Sequence, residues 1–375
     1  MTAERNHFLE LAAAVVDREP VAWAAAAAAA DSEQQRALIR QLQQIARIAQ
    51  VHQQLPSLEG GRDRAVSPTS PAKDEGLMSL GGYRLLERIG EGAMAVVYKA
   101  ERQAPEPAIV AIKALKHELD FDEVKRRFDT VRSALERVDH PGIASIFELG
   151  LSPQARPFLV CEYVEGWPIT VYAARHELPV GARLGLFAEL CEAVQAGHDA
   201  GLVHRSIKPS NVLVEQRGKG RAPRILDFGT VTITAQRLTE WVLLARFGRP
   251  IAAPSYLAPE ETDLSEKSIA PTTDVYSLGA LLFELLTGRA FSKPREGHER
   301  RLTEARRMIH EEQPPSVMAT LGRPDRAIPR RSTERDHAAL DELLRTALQK
   351  NPADRFRSAA ALRDAVANIV VQVGD

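Results

Sequence analysis

A stretch rich in β-branched residues precedes a stretch of long helical patterns, and this order limits the folds open to the chain. Short β-branched runs with turn signals extend over residues 83–160 and are interrupted by one helical pattern, at residues 121–138. Longer helical patterns then dominate, at residues 180–200, 273–286, 338–348 and 358–371. Apolar residues that recur every three or four positions indicate helices, whereas short β-branched runs between turn signals indicate strands. The sequence therefore predicts an α+β fold with a small strand-rich lobe and a large helical lobe.

The region before the strands divides into a helical segment and a linker. Residues 1–55 are rich in Ala, Leu, Gln, Glu and Arg, which favour helices. We interpret this segment either as a helical hairpin, packed on itself or on the rest of the chain, or as a docking module for a partner. Residues 56–80 contain several Pro, Gly and Ser without periodicity, which is typical of a flexible linker.

Composition and charge argue against several classes of protein. The 375 residues carry a formal net charge of −1, so we expect no nucleic-acid partner. The chain has no run of about 18 apolar residues, so we expect no membrane span. Its two cysteines, Cys161 and Cys191, have neither metal-ligand nor CxxC spacing. We therefore expect a cytoplasmic protein without a disulfide framework.

A glycine-containing turn and a lysine downstream of it predict a phosphate-binding site. Residues 90–97 read GEGAMAVV and follow a strand-like segment. Because glycine has no Cβ, backbone amides in such a turn can approach phosphate oxygens closely. The turn alone is equally typical of an ordinary hairpin. Its weight increases because VAIK follows at residues 110–113, where a strand would direct Lys113 at those phosphates.

Further blocks follow in a fixed order along the chain. They are HRSIKPSN at residues 204–211, DFG at 227–229, APE at 258–260 and DVYSLG at 274–279. Together with the glycine turn and the lysine, they have the order and rough spacing of the protein kinase signature. The chain resembles the bacterial serine/threonine protein kinase (Hanks-type) family over residues 82–371. The resemblance implies a bilobal protein kinase fold over residues 81–372, with a small lobe at 81–161, a hinge at 162–166 and a large lobe at 167–372.

The resemblance also implies a site for ATP and Mg²⁺. Gly90 and Gly92 would cover the phosphates, and Lys113 would pair with the α- and β-phosphates. Asn211 and Asp227 would hold the metal ion.

The adenine would be bound at the hinge. Cys161 matches the gatekeeper position, and backbone groups of Glu162 and Val164 would face the adenine. The apolar residues that would sandwich its ring are Ile89, Val97, Ala111 and Leu213.

Other matched positions concern the architecture of the domain. The resemblance implies a buried ion pair between Glu260 and Arg355, and it implies that Asp274 braces the backbone around His204. The apolar positions that would stack between the lobes are Leu135, Ile146, His204 and Phe228.

The catalytic loop departs from the family pattern at one decisive position. Ser206 stands where active kinases have the aspartate that accepts the proton of the substrate hydroxyl, although Lys208 and Asn211 are retained. A serine hydroxyl is not a base near pH 7. General base catalysis typically contributes about 10²–10⁴ in rate, so the sequence predicts impaired chemistry.

Two further departures lie outside the catalytic loop. Val131, nine residues before His140, stands where the family has the glutamate that pairs with Lys113, and the nearby Asp129 is about 200° away around the helix. Ala252 and Ala253 stand where family members usually have Gly-Thr, whose threonine contacts the catalytic aspartate.

We interpret the chain as a pseudokinase: a kinase-like domain that binds ATP and Mg²⁺, is catalytically impaired, and acts as a scaffold or allosteric regulator in signalling. On this interpretation it is not an enzyme, and its partners are a nucleotide and an unknown protein, such as an active kinase or its substrate. Two alternatives remain open. One is an active or atypical serine/threonine kinase, because phosphoryl transfer depends mainly on positioning and electrostatics. The other is an interaction module that binds no nucleotide.

Overall fold

The structure is a computed structural model that describes residues 21–28, 79–92, 95–103, 106–116, 121–138, 140–217, 220–234, 254–262, 268–292, 302–321 and 334–373. Before the strands it describes a single helix, α1 (Trp23–Ala28), within the predicted helical segment. The other residues of that segment, residues 56–78 of the predicted linker, and Ala252 and Ala253 lie outside the described residues.

A six-stranded antiparallel sheet forms the small lobe, with strand order β1-β2-β3-β4-β6-β5. Its strands are β1 (Ser79–Leu80), β2 (Tyr83–Glu91), β3 (Ala95–Arg102), β4 (Ala108–Leu115), β5 (Ile146–Leu151) and β6 (Pro157–Glu162). The last two residues of the predicted linker, Ser79 and Leu80, thus belong to the sheet. Leu80 is buried in an apolar cluster on one face of the sheet, called the outer core below.

Strand β4 shows how the sheet separates the core from the site. Val110 and Ile112 are buried in the outer core, where they lie with Tyr83 and Phe158. Successive side chains of a strand point to opposite faces, so Ala111 and Lys113 face the other side of the sheet. The alternation therefore places Lys113 on the face opposite the outer core.

Helix α2 (Phe121–Leu135) confirms the helical pattern predicted between the strands. Its buried residues, Val124, Phe128 and Val131, recur every three or four positions and form one apolar stripe. The helix ends three residues earlier than the predicted pattern, and the chain turns at residues 136–137.

The large lobe is mainly helical. Its helices are α3 (Ile169–Arg175), α4 (Val180–Asp199), α5 (Thr230–Thr234), α6 (Pro271–Thr287), α7 (Leu302–Glu311), α8 (Val317–Leu321), α9 (Glu334–Ala347) and α10 (Ala359–Val373). A small antiparallel sheet comprises β7 (Gly166–Pro168), β8 (Val212–Arg217) and β9 (Gly220–Ile225). Helix α6 is buried along most of its length because it packs against α3, α4, α9 and α10. This arrangement confirms the predicted α+β fold with two lobes of different composition.

Within the described part of the chain, no helix is long and apolar enough to cross a membrane.

Candidate nucleotide-binding and catalytic site

The fold brings Lys113 and Asp227 together, although 114 positions separate them in the sequence. The Lys113 Nζ donates a hydrogen bond to Asp227 Oδ2 at 2.8 Å, and the two side chains are 20% and 26% exposed. Asp227 has a φ of 62°, a left-handed conformation that is strained for a residue other than glycine. Strain of this kind is typical of functional positions, where the surrounding structure compensates for it.

Asp227 is a carboxylate held in its ionised form. Burial alone would raise its pKa, but the ammonium groups of Lys113 and Lys208 keep the pKa of Asp227 below its ordinary value. The carboxylate of Asp227 is suited to bind a metal ion, and the ammonium groups of the two lysines are suited to bind phosphate oxygens beside it.

The backbone of the catalytic loop is held by a buried aspartate, as the resemblance implies. Asp274 is fully buried and accepts hydrogen bonds from the backbone amides of His204, at 2.7 Å, and Arg205, at 2.8 Å. Its Oδ2 also lies 2.8 Å from His198 Nε2. These contacts fix the backbone just before Ser206.

His204 joins this loop to the residues before Asp227. Burial lowers the pKa of His204, so its imidazole is neutral near pH 7. Its Nε2 lies 2.8 Å from the carbonyl oxygen of Leu226, and its Nδ1 lies 3.2 Å from the backbone amide of Ser206. These contacts require Nε2 to donate and Nδ1 to accept. The imidazole also packs edge-on against Phe228, with ring centroids 4.9 Å apart.

Ser206 is bonded to the predicted metal ligand. Asn211 Nδ2 donates to the backbone carbonyl oxygen of Ser206 at 2.8 Å and to its Oγ at 3.1 Å. Because Nδ2 serves these two bonds, the Oδ1 of Asn211 is the atom suited to a metal ion. The hydroxyl of Ser206 thus accepts a hydrogen bond, and no ionised carboxylate belongs to residue 206.

The side chain of Val131 is buried in an apolar contact with Gly229. It is 1% exposed, and its Cγ1 lies 2.4 Å from the position that a Cβ on Gly229 would occupy. Helix α5, which follows Gly229, packs against α2. Asp129 is on the surface, where it pairs with Lys125 at 2.8 Å. In the part of the chain that the structure describes, Lys113 therefore pairs with Asp227 rather than with a carboxylate of α2.

The residues predicted to surround adenine lie along both lobes. In the register of the antiparallel strands, Val97 on β3 lies opposite Lys113 on β4, and Leu213 on β8 lies opposite Pro168 at the end of β7. Val164 is 7% exposed, whereas Ile89 is 44% exposed. An exposed isoleucine on the strand that leads into the glycine turn leaves apolar surface for a ligand to cover.

Neither glycine of the turn is required by the packing of the protein. A Cβ on Gly90 would meet Val97 at an ordinary 3.7 Å, and one on Gly92 would come no closer than 3.9 Å to Ala95. The backbone amide of Gly92 donates to the carbonyl oxygen of Ala95 at 2.9 Å, which closes the turn. The close approach of a phosphate to both glycines therefore stays a prediction from the sequence.

The large lobe contains the predicted buried ion pair. Arg355 donates to both carboxylate oxygens of Glu260, at 2.7 and 2.8 Å, and the Arg355 side chain is fully buried. Thr273 also donates to Glu260 at 2.9 Å.

Cys161 lies at the end of β6, beside the start of the hinge. Burial raises the pKa of its thiol to about 12, so the thiol is protonated and weakly nucleophilic near pH 7.

Two polar features of the site were missed by reasoning from the sequence. One is the pairing of Lys113 with Asp227 in place of a glutamate on α2. The other is Arg224, which contacts the carboxylate of Glu162 at the hinge. Arg224 belongs to none of the blocks that signal phosphate binding, and only its position three residues before Asp227 places it near the site.

Comparison with known proteins agrees with this geometry. The family model of the protein kinase domain matches residues 83–366. Serine/threonine-protein kinase Pkn1 of Myxococcus xanthus is 32% identical over 289 residues, which cover 76% of this chain and 38% of Pkn1. Serine/threonine-protein kinase PksC of Streptomyces coelicolor is 33% identical over 293 residues, which cover 76% of this chain and 48% of PksC. The chain thus spans less than half the length of these two relatives.

A solved structure shows the same fold. The crystal structure of the PknI kinase domain of Mycobacterium tuberculosis, as a double mutant, aligns with a TM-score of 0.56 at 26% sequence identity. The alignment covers 78% of this chain and 97% of the PknI domain. Together, the matched residues, the two-lobed fold and the pairing of Lys113 with Asp227 show that this chain belongs to the protein kinase domain family, with bacterial serine/threonine kinases among its relatives.

Proposed function

We propose that this chain is a pseudokinase: a domain that binds ATP and Mg²⁺, transfers phosphate poorly or not at all, and acts as a cytoplasmic scaffold or allosteric regulator in signalling. The observation that carries the proposal is the side chain at position 206. At the position of the catalytic base the chain has a serine hydroxyl, which accepts a hydrogen bond from Asn211. The groups for nucleotide and metal around it are retained.

The retained groups support nucleotide binding. Lys113 and Lys208 supply positive charge for the phosphates, and the lowered pKa of Asp227 keeps its carboxylate ionised for the metal ion. Asp227 and Asn211 would hold Mg²⁺, which neutralises phosphate charge when bound. The fit is chemically sound because Mg²⁺ prefers oxygen ligands and binds through few protein groups when phosphates supply the rest. Lys113 would then turn from Asp227 to the phosphates.

The missing groups support impaired chemistry. A serine hydroxyl does not take a proton from an alcohol near pH 7, and general base catalysis is worth about 3–5 kcal/mol of transition-state stabilisation. Val131, buried against Gly229, supplies no charge to hold Lys113 in place over the phosphates. Both losses affect the transferred phosphate and its acceptor more than they affect the adenine.

One observation favours the first alternative, an active or atypical serine/threonine kinase. Asp274 holds the catalytic loop, and His204 packs on Phe228, so the loop is ordered as a kinase requires. Positioning and electrostatics supply most of the catalysis of phosphoryl transfer, and an ordered loop retains part of that contribution.

Another observation favours the second alternative, an interaction module that binds no nucleotide. Lys113 and Asp227 neutralise each other in the structure, and a ligand must separate them. Binding of ATP with Mg²⁺ offers each of them a new partner, which is why we prefer nucleotide binding.

Nucleotide binding predicts a shift in thermal stability. ATP with Mg²⁺ at about 100 times its dissociation constant should raise the free energy of unfolding by about 2.7 kcal/mol, because the ligand binds only the folded chain. Differential scanning fluorimetry with and without Mg²⁺ measures the shift. The Lys113→Ala variant should lose it, because the ammonium that pairs with the phosphates is absent. If the melting temperature of the wild-type chain did not change even at the highest nucleotide concentration, the result would support the module that binds no nucleotide.

Impaired chemistry predicts little or no phosphate transfer. Purified protein incubated with γ-labelled ATP, Mg²⁺ and a generic acceptor protein should incorporate label no faster than the Lys113→Ala variant. Quantitative autoradiography of both reactions measures the difference. Incorporation by the wild-type chain that disappears in Lys113→Ala would refute the pseudokinase and establish an active kinase.

A pseudokinase exerts its effect through a contact that depends on its conformation. The partner would be another protein, such as an active kinase or its substrate, bound through the helical segment before residue 56 or through the large lobe. Comparing proteins captured by ATP-loaded and empty chain would identify it.

A further inference from the structure

A buried arginine lies between the hinge and the strand that leads to Asp227. Arg224 is the penultimate residue of β9, and its side chain is 3% exposed. Its Nη2 donates to both carboxylate oxygens of Glu162, at 2.7 and 2.6 Å, and its Nη1 donates to Glu215 on β8 at 3.1 Å. One buried guanidinium therefore holds two carboxylates from different strands.

Glu162, the first hinge residue, is held on both its backbone and its side chain. Its amide donates to the carbonyl oxygen of Ser145 at 2.9 Å, and its carboxylate accepts from the amide of Ser145 at 3.1 Å. The same carboxylate receives the two bonds from Arg224. The orientation of Glu162 therefore depends on groups outside its own strand.

The segment that contains Ser145 is itself bonded to β9. The amide of Ala144 donates to the carbonyl oxygen of Ile225 at 2.9 Å, and the amide of Ile225 donates to the carbonyl oxygen of Gly142 at 2.7 Å. Arg224 precedes Ile225, so its guanidinium lies where the segment after α2, the hinge and β9 meet. A change at Arg224 would loosen the hinge relative to the strand that continues to Asp227.

We propose that Arg224 is a positioning residue for the nucleotide: by holding Glu162 against β9, it sets the distance between the adenine-binding backbone of the hinge and the pair formed by Lys113, which would bind phosphate, and Asp227, which would bind the metal ion. The inference rests on the nucleotide site proposed above. A buried arginine depends on well-placed carboxylates to compensate its charge, and Glu162 and Glu215 supply them here. Ligand groups bound at the two ends of a site gain affinity when the spacing between them is set in advance.

The test compares a ligand that uses both ends of the site with one that uses only the phosphate end. ATP and inorganic triphosphate, each with Mg²⁺, are titrated by isothermal calorimetry against the wild-type chain, Arg224→Met and Arg224→Lys. Arg224→Met should raise the dissociation constant of ATP about tenfold, equivalent to about 1.4 kcal/mol. It should leave the dissociation constant of triphosphate unchanged. Arg224→Lys, which keeps the charge, should recover part of the loss.

A matched arginine controls for general destabilisation. Arg183 is partly buried and donates to the carbonyl oxygens of Leu178 and Leu285, within the large lobe. Arg183→Met should lower the melting temperature without changing the ratio of the two affinities. If Arg224→Met does not fold, Glu162→Gln removes the same charge pair with little change of shape and should show the same selective loss.

Four outcomes would overturn the inference. Unchanged ATP affinity in Arg224→Met, or an equal loss for ATP and triphosphate, would show that Arg224 serves stability alone. If the lysine variant were no better than the methionine variant, the charge would have no part in positioning. A wild-type chain that binds neither ligand would instead overturn the nucleotide site itself, and with it this inference.

Discussion

The double variant Ser206→Asp, Ala253→Thr should transfer phosphate faster than the wild-type background by about 10²–10⁴-fold. The aspartate supplies an acceptor for the proton of the substrate hydroxyl, while the bond between the γ-phosphorus and the leaving oxygen of ADP breaks. The backbone that would carry this aspartate is already held by Asp274, and Asn211 is in place beside it. The threonine is included because the family resemblance implies that it contacts the aspartate. Initial rates of label transfer from γ-labelled ATP measure the gain.

A matched control separates charge from shape in this experiment. Ser206→Asn with the same Ala253→Thr change has nearly the size of the aspartate but accepts no proton, so it should stay at background. If the aspartate variant were inactive, the missing base and the missing threonine that contacts it could not be the only defects. It would place the remaining defect at Val131, which is buried against Gly229 where kinases have a carboxylate. Adding Val131→Glu would then be the next test.

Replacing Arg355 by methionine should lower the free energy of unfolding by about 3–5 kcal/mol, because it leaves a buried carboxylate uncompensated. Glu260 is 6% exposed and would lose both bonds from Arg355 while keeping the hydrogen bond from Thr273. Arg355 also donates to the carbonyl oxygens of Gln349, Thr272 and Lys350, so these bonds would be lost too. Urea denaturation followed by circular dichroism measures the change.

A surface ion pair provides the comparison for this variant. Arg345 contacts both carboxylate oxygens of Glu342, but the two side chains are 59% and 61% exposed. Arg345→Met should therefore lower the free energy of unfolding far less than Arg355→Met, because water screens exposed pairs. Similar losses for Arg355→Met and Arg345→Met would show that burial does not determine the importance of the pair between Glu260 and Arg355.

Local sequence patterns were sufficient for the elements and their order. The helix predicted at residues 180–200 is α4 (Val180–Asp199), and the pattern at 273–286 lies within α6 (Pro271–Thr287). These agree because helices and strands are specified by neighbouring residues, through apolar periodicity and backbone preference. The pair of Glu260 and Arg355 followed from the family resemblance, which carries long-range information that periodicity does not.

Contacts between side chains far apart in the sequence did not follow from such patterns. The sequence showed that position 131 has no carboxylate. It did not show that Lys113 would pair with Asp227 instead. Which acid a lysine meets depends on distances of a few ångströms between segments far apart in the chain, and no local preference encodes these. Arg224 is a clearer case, because its hydrogen bonds to Glu162 span 62 positions.

The residue types, read in order along the chain, thus established a two-lobed kinase domain and predicted a serine where the family resemblance implies a catalytic base, because both inferences depend only on which residue stands at which position. The pairing of Lys113 with Asp227, the burial of Val131 against Gly229 and the anchoring of the hinge by Arg224 emerged from the folded chain alone. Each is a contact between distant segments, and its geometry is set by the packing of the sheet and helices around it.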